Sequence, residues 1–228
     1  MENLIILTSV LITSPEPLPW SVRSVFNPQK RLEQTAYSIL SIRKYAPKYF
    51  LVFVEGSKIP IEWENFIKSK VDYYLNIADT DYSKYINGSS KGLGEISLLL
   101  SYLKSSHFQS NKNNVESIYK MTGRYIFNQN HIFNSQVNNI IFKNFIITQK
   151  REQDSQISTI YYSMPIAEID NFINILEESY KDDKFVLGVY PIECYLYDKW
   201  IKDRKNVYSP FILGIQGFSA TFGDLIKY

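Results

Sequence analysis

Two unbroken apolar stretches, Leu4–Leu7 and Phe50–Val54, constrain this chain more than any other feature. A strand that is apolar at consecutive positions has to be covered on both faces, and a mostly parallel sheet with helices on either side does that. The rest of the sequence alternates in the same sense. Strand Leu4–Val10 leads into a loop where Pro15, Pro17 and Pro19 keep the backbone extended. Asn27-Pro28 then opens a helix, Asn as cap and Pro in the first turn, with Leu32, Ala36, Ile39 and Leu40 as its apolar stripe up to Tyr45.

Further along, the patterns predict a short helix over Glu62–Lys68, a strand over Val71–Leu75, and a polar loop from Asn76 to Leu93. A helical stripe follows at Ile96, Leu99, Leu100 and Leu103, then a solvated turn over Gln109–Asn114 and a strand over Ser117–Thr122. The second half is less regular. Strands are expected at Phe145–Thr148, Ser158–Tyr162 and Pro210–Ile215. Helices are expected at Pro165–Tyr180, with Ile169, Phe172, Ile173 and Leu176 inward, and at Pro191–Lys202. The fold class is therefore α/β, a mixed, mostly parallel central sheet flanked by helices, in one domain.

Composition removes several classes of function. Lys and Arg exceed Asp and Glu by two, 25 against 23, so no concentrated basic charge points to nucleic acid. A single cysteine, Cys194, cannot form an internal disulfide, which fits a reducing compartment. The apolar start is too short to span a bilayer, and Glu2 stands where a secretory leader carries a basic residue. It is read as a strand, and no transmembrane segment is expected.

In an open α/β sheet, ligands bind beyond the carboxyl ends of the strands. There the sequence places Thr8 and Ser9, then Arg23 and Arg31, Glu55-Gly56-Ser57, Lys91-Gly92-Leu93-Gly94-Glu95, and Gly123-Arg124-Tyr125. The Lys91–Glu95 segment has two readings. Its glycines and the following helix start suit a phosphate, and it equally fits a glycine-containing loop whose Glu complements the helix dipole. Arg23, Arg31 and Arg124 can frame a diphosphate with bidentate contacts, or each can be a solvated arginine. Glu193, one residue into a helix that Pro191 starts, is either a general base at the edge of an apolar face or a dipole-favouring first-turn carboxylate.

Other constellations carry less. Asp79-Thr80-Asp81 reads as turn chemistry, His107 and His131 lack partners at zinc-ligand spacing, and no serine has a nucleophile context. Trp20, in the Pro-rich loop, is the aromatic best placed to stack on a base or sugar.

The ordered series Arg23–Phe26, Arg31 with Gln34-Thr35, Ser41–Tyr45, Val54–Ser57, Lys91–Glu95, Tyr119–Tyr125, Ile192-Glu193 and Gly214–Gly217 resembles a group of short glycosyltransferases. They are found in large DNA viruses, including the capsid xylosyltransferase type of chlorella viruses, and in bacterial surface-polysaccharide loci. The resemblance runs over nearly the full chain. It implies a GT-A-like, Rossmann-like fold over residues 1–228, with 1–115 mainly binding the nucleotide and 116–228 mainly the acceptor.

The resemblance further implies a nucleotide-sugar donor, UDP-sugar foremost, a glycan or glycoprotein acceptor, and a cytoplasmic location, the host's if viral. It puts Ser9, Arg23, Arg31 and Glu55 around the nucleotide, and Lys91, Gly94 and Glu95 near the diphosphate or donor sugar. Thr122 and Arg124 stand where many GT-A enzymes carry an Asp-x-Asp metal motif. Those carboxylates are missing here, which puts manganese or magnesium dependence in question and gives Arg124 the role of steadying the departing diphosphate. Glu193 is the implied base of an inverting displacement. Two other classes compete: a binding module for nucleotide sugar or carbohydrate without turnover, and a nucleotidyltransferase, which lacks the carboxylate pair its metal chemistry needs.

Overall fold

The computed structural model describes residues 3–18, 22–131, 139–146, 155–209 and 214–227. Its strands are β1 (Asn3–Ser9), β2 (Phe50–Glu55), β3 (Tyr73–Asn76), β4 (Ser117–Thr122), β5 (Tyr125–Phe127), β6 (Ile140–Ile146), β7 (Ser155–Pro165), β8 (Val207–Tyr208), β9 (Ile215–Phe218) and β10 (Leu225–Lys227). The helices are α1 (Pro28–Tyr45), α2 (Ile61–Lys68), α3 (Ser83–Ile86), α4 (Lys91–Leu103), α5 (Ser106–Asn111), α6 (Ile169–Glu178), α7 (Asp183–Val186) and α8 (Ile192–Leu196).

Seven strands form the main sheet in the order β3-β2-β1-β4-β7-β6-β8. The first four run parallel, β7 is antiparallel to β4 and to β6, and β8 is parallel to β6. Side chains alternate across the sheet as the period of two requires. Leu4, Ile6, Val52, Val54 and Ile118 face one core with α4 to α8. Ile5, Leu7, Leu51, Phe53 and Met121 face the other, with α1, Ile67 of α2, and a small antiparallel sheet β10-β9-β5. Both faces are covered, as the apolar runs demand.

The chain reverses its winding at β1. It leaves β1 through α1 to β2 on one side, and returns from β3 through α4 and α5 to β4 on the other. Helices therefore diverge above the carboxyl ends of β1 and β4, opening a crevice at the switch point.

Several expected boundaries shift for physical reasons. The Asn27 cap is as expected, its side chain accepting from Lys30 N at 2.8 Å. The stripe of α1 is so only in part: Ile39 is buried but Leu40 is 58% exposed, and the helix also buries Arg31, Gln34, Thr35, Ser38, Ser41 and Ile42. Small hydroxyls do this cheaply when satisfied. Thr35 Oγ1 donates to Gly123 O at 2.8 Å and Ser41 Oγ accepts from Phe127 N at 3.1 Å, drawing α1 close to β5.

The turn expected over Gln109–Asn114 is helical, because Ser105 caps α5 through Phe108 N and a 3-10 turn continues to Asn114. The loop Asn76–Leu93 contains α3, and α4 begins at Lys91 because Ser90 caps it, accepting from Leu93 N at 3.2 Å. The helix expected over Pro191–Lys202 is α8 continued by one π turn to Ile201. Of the expected strand Pro210–Ile215, residues 210–213 lie outside the described residues, as do 147–148 and Trp20.

Candidate active site

Two adjoining hollows lie over the carboxyl edge of the sheet. The first, of about 90 Å³, is lined by Thr8 and Ser9 at the end of β1, by Arg23 and Arg31, by Lys91, Gly94 and Glu95 of α4, and by Thr122 and Arg124. The second, of about 400 Å³, contains Glu193 with Thr159, Tyr190 and Thr221. Lys91, Glu95, Thr122, Arg124 and Ala220 line both. A shared wall thus carries cations and a carboxylate between two chambers.

Arg124 reaches that wall because the turn at the end of β4 is pinned from three sides. Gly123 N donates to Thr8 O at 2.9 Å, Arg124 N to Thr122 O at 2.7 Å, and Thr35 Oγ1 holds the carbonyl of Gly123. Burial lowers the Arg124 guanidinium from its ordinary value, and its Nε is buried without a hydrogen-bond partner. Lys91, first residue of α4, is pushed down to about 8 by desolvation and by the charges of Arg124 and Arg31, against Glu95 and Glu193. Arg31 is pushed down to about 9 by burial and then by Arg124. Three cations that repel one another around one crevice make a site for an anion.

The arginines divide their labour. Arg31 donates from Nε to Val10 O at 2.8 Å and from a terminal nitrogen to Ser24 Oγ at 2.9 Å, leaving other N–H groups for the crevice. Arg23 spends most of its fork on the carbonyls of Glu16, Asn87 and Gly88, each at 2.8 Å. It clamps the Pro-rich loop to the turn before α4.

Glu55 lies below the crevice and lines neither hollow. Its Oε1 accepts from Leu11 N and Ser57 N, both at 2.9 Å, and from Ser57 Oγ. Burial pushes this carboxyl up to about 7 against those hydrogen bonds and Arg31. It braces the loops after β1 and β2.

The two glycines of the α4 start differ. A Cβ on Gly92 would come within 2.7 Å of Phe185 and 3.0 Å of Ile192, so this glycine lets α4 pack against α7 and α8. At Gly94 a Cβ would touch Tyr85 O and Ile86 Cα at 3.4 Å, an ordinary contact. Gly92 therefore answers to packing, and it also lines the second hollow.

Across the wall, Glu193 sits one residue into α8, and Thr159 Oγ1 of β7 donates to its Oε1 at 3.1 Å. Burial first, and Glu95 among the remaining causes, raises its carboxyl above the usual range. Sequence reasoning overlooked Thr159 and, more consequentially, Lys120. Lys120 stands on β4, its side chain 1% exposed, and pairs with Glu95. A charged residue between Tyr119 and Met121 in a strand buried on both faces was the signal available.

The residues present do not fit a divalent cation. Thr122-Gly123-Arg124 occupy the strand end, the carboxylate of Glu95 is engaged by Lys120, and among the described residues no three His, Cys, Asp or Glu side chains gather to hold a metal. Asp79 is exposed and pairs with Lys58 at 2.6 Å, apart from both hollows. His107 stacks on Tyr73 and His131 on Phe127. No helix among the described residues is long and apolar enough to cross a membrane.

Strand order, the helices on both faces and a crevice at the switch point define a GT-A-like glycosyltransferase fold. The mannosyltransferase Ktr4p of S. cerevisiae is similar over 91% of this chain and 68% of its own, with a TM-score of 0.55 and 9% identity. Core-mannan synthase A (CmsA/Ktr4) of Aspergillus fumigatus, in a Mn/GDP form, is similar over 95% and 74%, with a TM-score of 0.53 and 8% identity. A glycosyltransferase involved in glycosylation of the major capsid of PBCV-1 aligns over 93% and 84%, with a TM-score of 0.49 and 11% identity. No protein-family model and no curated protein sequence matches the chain.

Proposed function

We propose that the protein transfers a sugar from a nucleoside diphosphate sugar, a UDP-sugar foremost, to a hydroxyl of a glycan acceptor with inversion at the anomeric carbon. The observation that carries this is the shared wall, with cations on the first hollow and a carboxylate with a raised pKa facing the second. In the reaction, Glu193 takes the acceptor's hydroxyl proton as that oxygen bonds to the anomeric carbon. The bond from that carbon to the diphosphate breaks, and the electron pair leaves with the phosphate oxygen. Arg124 and Lys91 meet the charge that develops there.

Arg31 and Ser9 lie on the nucleotide side of this arrangement, Thr122, Gly94 and Glu95 beside the diphosphate and sugar. A further hollow of about 570 Å³, lined by Thr13, Ser14, Ser57, Lys58, Ala78 and Asn87 among others, offers room for the base beyond β2 and β3. Residues 1–115 then supply most donor contacts, with Thr122 and Arg124 added from β4, and the second half supplies the acceptor side. The resemblance of the ordered motifs supports a setting in viral glycoprotein or surface-polysaccharide glycosylation.

The strand end Thr122-Gly123-Arg124, without carboxylates, favours one second reading: a module that binds nucleotide sugar or carbohydrate without turnover. Incubation with UDP-, GDP- and dTDP-sugars and a mixed glycan panel separates the two. Transfer predicts donor consumption with a glycosylated product; the binding module predicts thermal stabilisation by ligand and no consumption. No response to any donor contradicts both.

A further inference from the structure

Lys120 takes no direct part in the transfer, yet it is the most deeply buried cation at the wall. Its ammonium donates to Glu95, to Thr122 Oγ1 at 2.8 Å and to the carbonyl of Thr159, and it lies 5.6 Å from the centre of the Tyr162 ring. An ammonium has three protons. All three are used, so Lys120 has none to offer a substrate, and it acts through its partners.

Those partners are the residues that matter on both sides. Glu95 lines both hollows, Thr122 lines both, and Thr159 also donates to Glu193. Burying a cation is costly unless it is paired and fully hydrogen-bonded, and removal of one partner leaves the other charge stranded. The groups facing Lys120 are Glu95 from α4, Glu193 from α8, Arg124 and Thr122 from β4 and its turn, and Thr159 and Tyr162 from β7. Without it, Glu95 and Glu193, which repel each other across the second hollow, would keep only Lys91 and Arg124 as nearby cations, the two that the diphosphate needs. Such a pair would draw in a dication; with Lys120 present, a dication would stand beside Lys120, Lys91 and Arg124.

We infer that Lys120 is the resident counter-charge of the site, a positioning residue that neutralises Glu95, keeps Glu193 ionisable through that neutralisation, and makes donor binding independent of divalent metal. This rests on the sugar-transfer assignment and deepens it. Functionally, one fixed lysine replaces a diffusible cation in setting the charge between the two carboxylates, while Arg124 and Lys91, whose Nζ donates to Thr221 Oγ1 at 3.3 Å, are left to meet the diphosphate.

The test begins with the wild-type chain, titrated with UDP and GDP by calorimetry in EDTA and again with manganese. Equal affinities are expected. An affinity about tenfold or more higher with manganese would overturn the inference alone, whereas no nucleotide binding in either condition would overturn the donor site itself. Lys120→Met then leaves Glu95 unneutralised. The rising limb of turnover against pH should move up by about one unit, and manganese should now tighten nucleotide binding. The double variant Lys120→Met with Glu95→Gln removes both charges and should return the limb toward its original position, which a purely structural lysine would not do. A folded Lys120→Met protein with an unmoved pH limb contradicts the inference. If that variant fails to fold, the wild-type metal comparison decides.

Discussion

The two hollows share a wall but differ in how they are built. The first is made from the ends of parallel strands β1 and β4 and the start of α4, with Arg23, Arg31, Lys91 and Arg124 as its cations and Glu95 as its carboxylate. The second takes its carboxylate from a five-residue helix, α8, and its rim from the loops around Gly188 and Ser219–Thr221. Cations sit on the regular half, where the carbonyl of Thr8 and the hydroxyl of Thr35 hold Gly123, and with it the turn that carries Arg124, to the sheet and α1. The proton-accepting group sits on the irregular half. A shape selective for a constant group such as diphosphate suits the rigid side, and a shape for a particular acceptor suits the side whose loops can vary.

Removing Glu193 breaks the comparison most sharply. In Glu193→Gln, sugar transfer should fall by roughly 10²- to 10⁴-fold while donor affinity changes far less, because Glu193 lines only the second chamber and reaches Lys91 on the shared wall through its charge alone. Parallel kinetics and nucleotide titration check it; a matching loss of donor binding would merge the two chambers into one.

The next effect belongs to the first chamber. Lys91 is held near 8, and only its ammonium attracts phosphate, so nucleoside diphosphate affinity should be full below that pH and decline as pH rises through it. Lys91→Met should weaken binding by roughly tenfold at pH 7 and abolish this decline. Affinity that is flat from pH 6 to 9 (about the range spanning that value) in the wild-type chain would remove Lys91 from the diphosphate.

Smallest for activity, but visible in stability, is the brace beneath the first chamber. Glu55 is raised to about 7 in the folded chain, above its ordinary carboxyl value, so its contribution is present at low pH and is lost as pH rises through 7. The shift corresponds to roughly 3 kcal/mol. Thermal melts from pH 5 to pH 8 (about the window that value sets) should therefore show stability falling, and Glu55→Gln should flatten the curve. A wild-type melting temperature that rises over the same window contradicts the assignment.

Much of the regular half was legible from sequence because its signals are local. Apolar runs marked β1 and β2, the Asn27-Pro28 pair marked the start of α1, and Ser117–Thr122 was read with the bounds of β4. What escaped was set by tertiary packing. The buried face of α1 mixes Ile39 and Ile42 with polar residues such as Thr35, Ser38 and Ser41, so counting apolar residues selected Leu40, which is exposed, beside Ile39, which is buried. Strand β9, hairpin partner of β10, pairs with β5 as Tyr125 with Gly217 and Phe127 with Ile215, a contact no local pattern announces. At the site, residues of ordinary surface type such as Arg31, Lys91 and Arg124 could be gathered by their position after strands. Lys120 could not, because it lies within a strand and its worth comes from Glu95, 25 residues earlier.

A crystal structure of the chain with a UDP-sugar or UDP tests the central claim most directly. The diphosphate is predicted within hydrogen-bonding distance of Arg124 and Lys91, at the wall between the chambers, with the carboxylate of Glu193 on the opposite side of the sugar position. A nucleotide seated elsewhere on the molecule, with Arg124 and Lys91 making no phosphate contact, would contradict it.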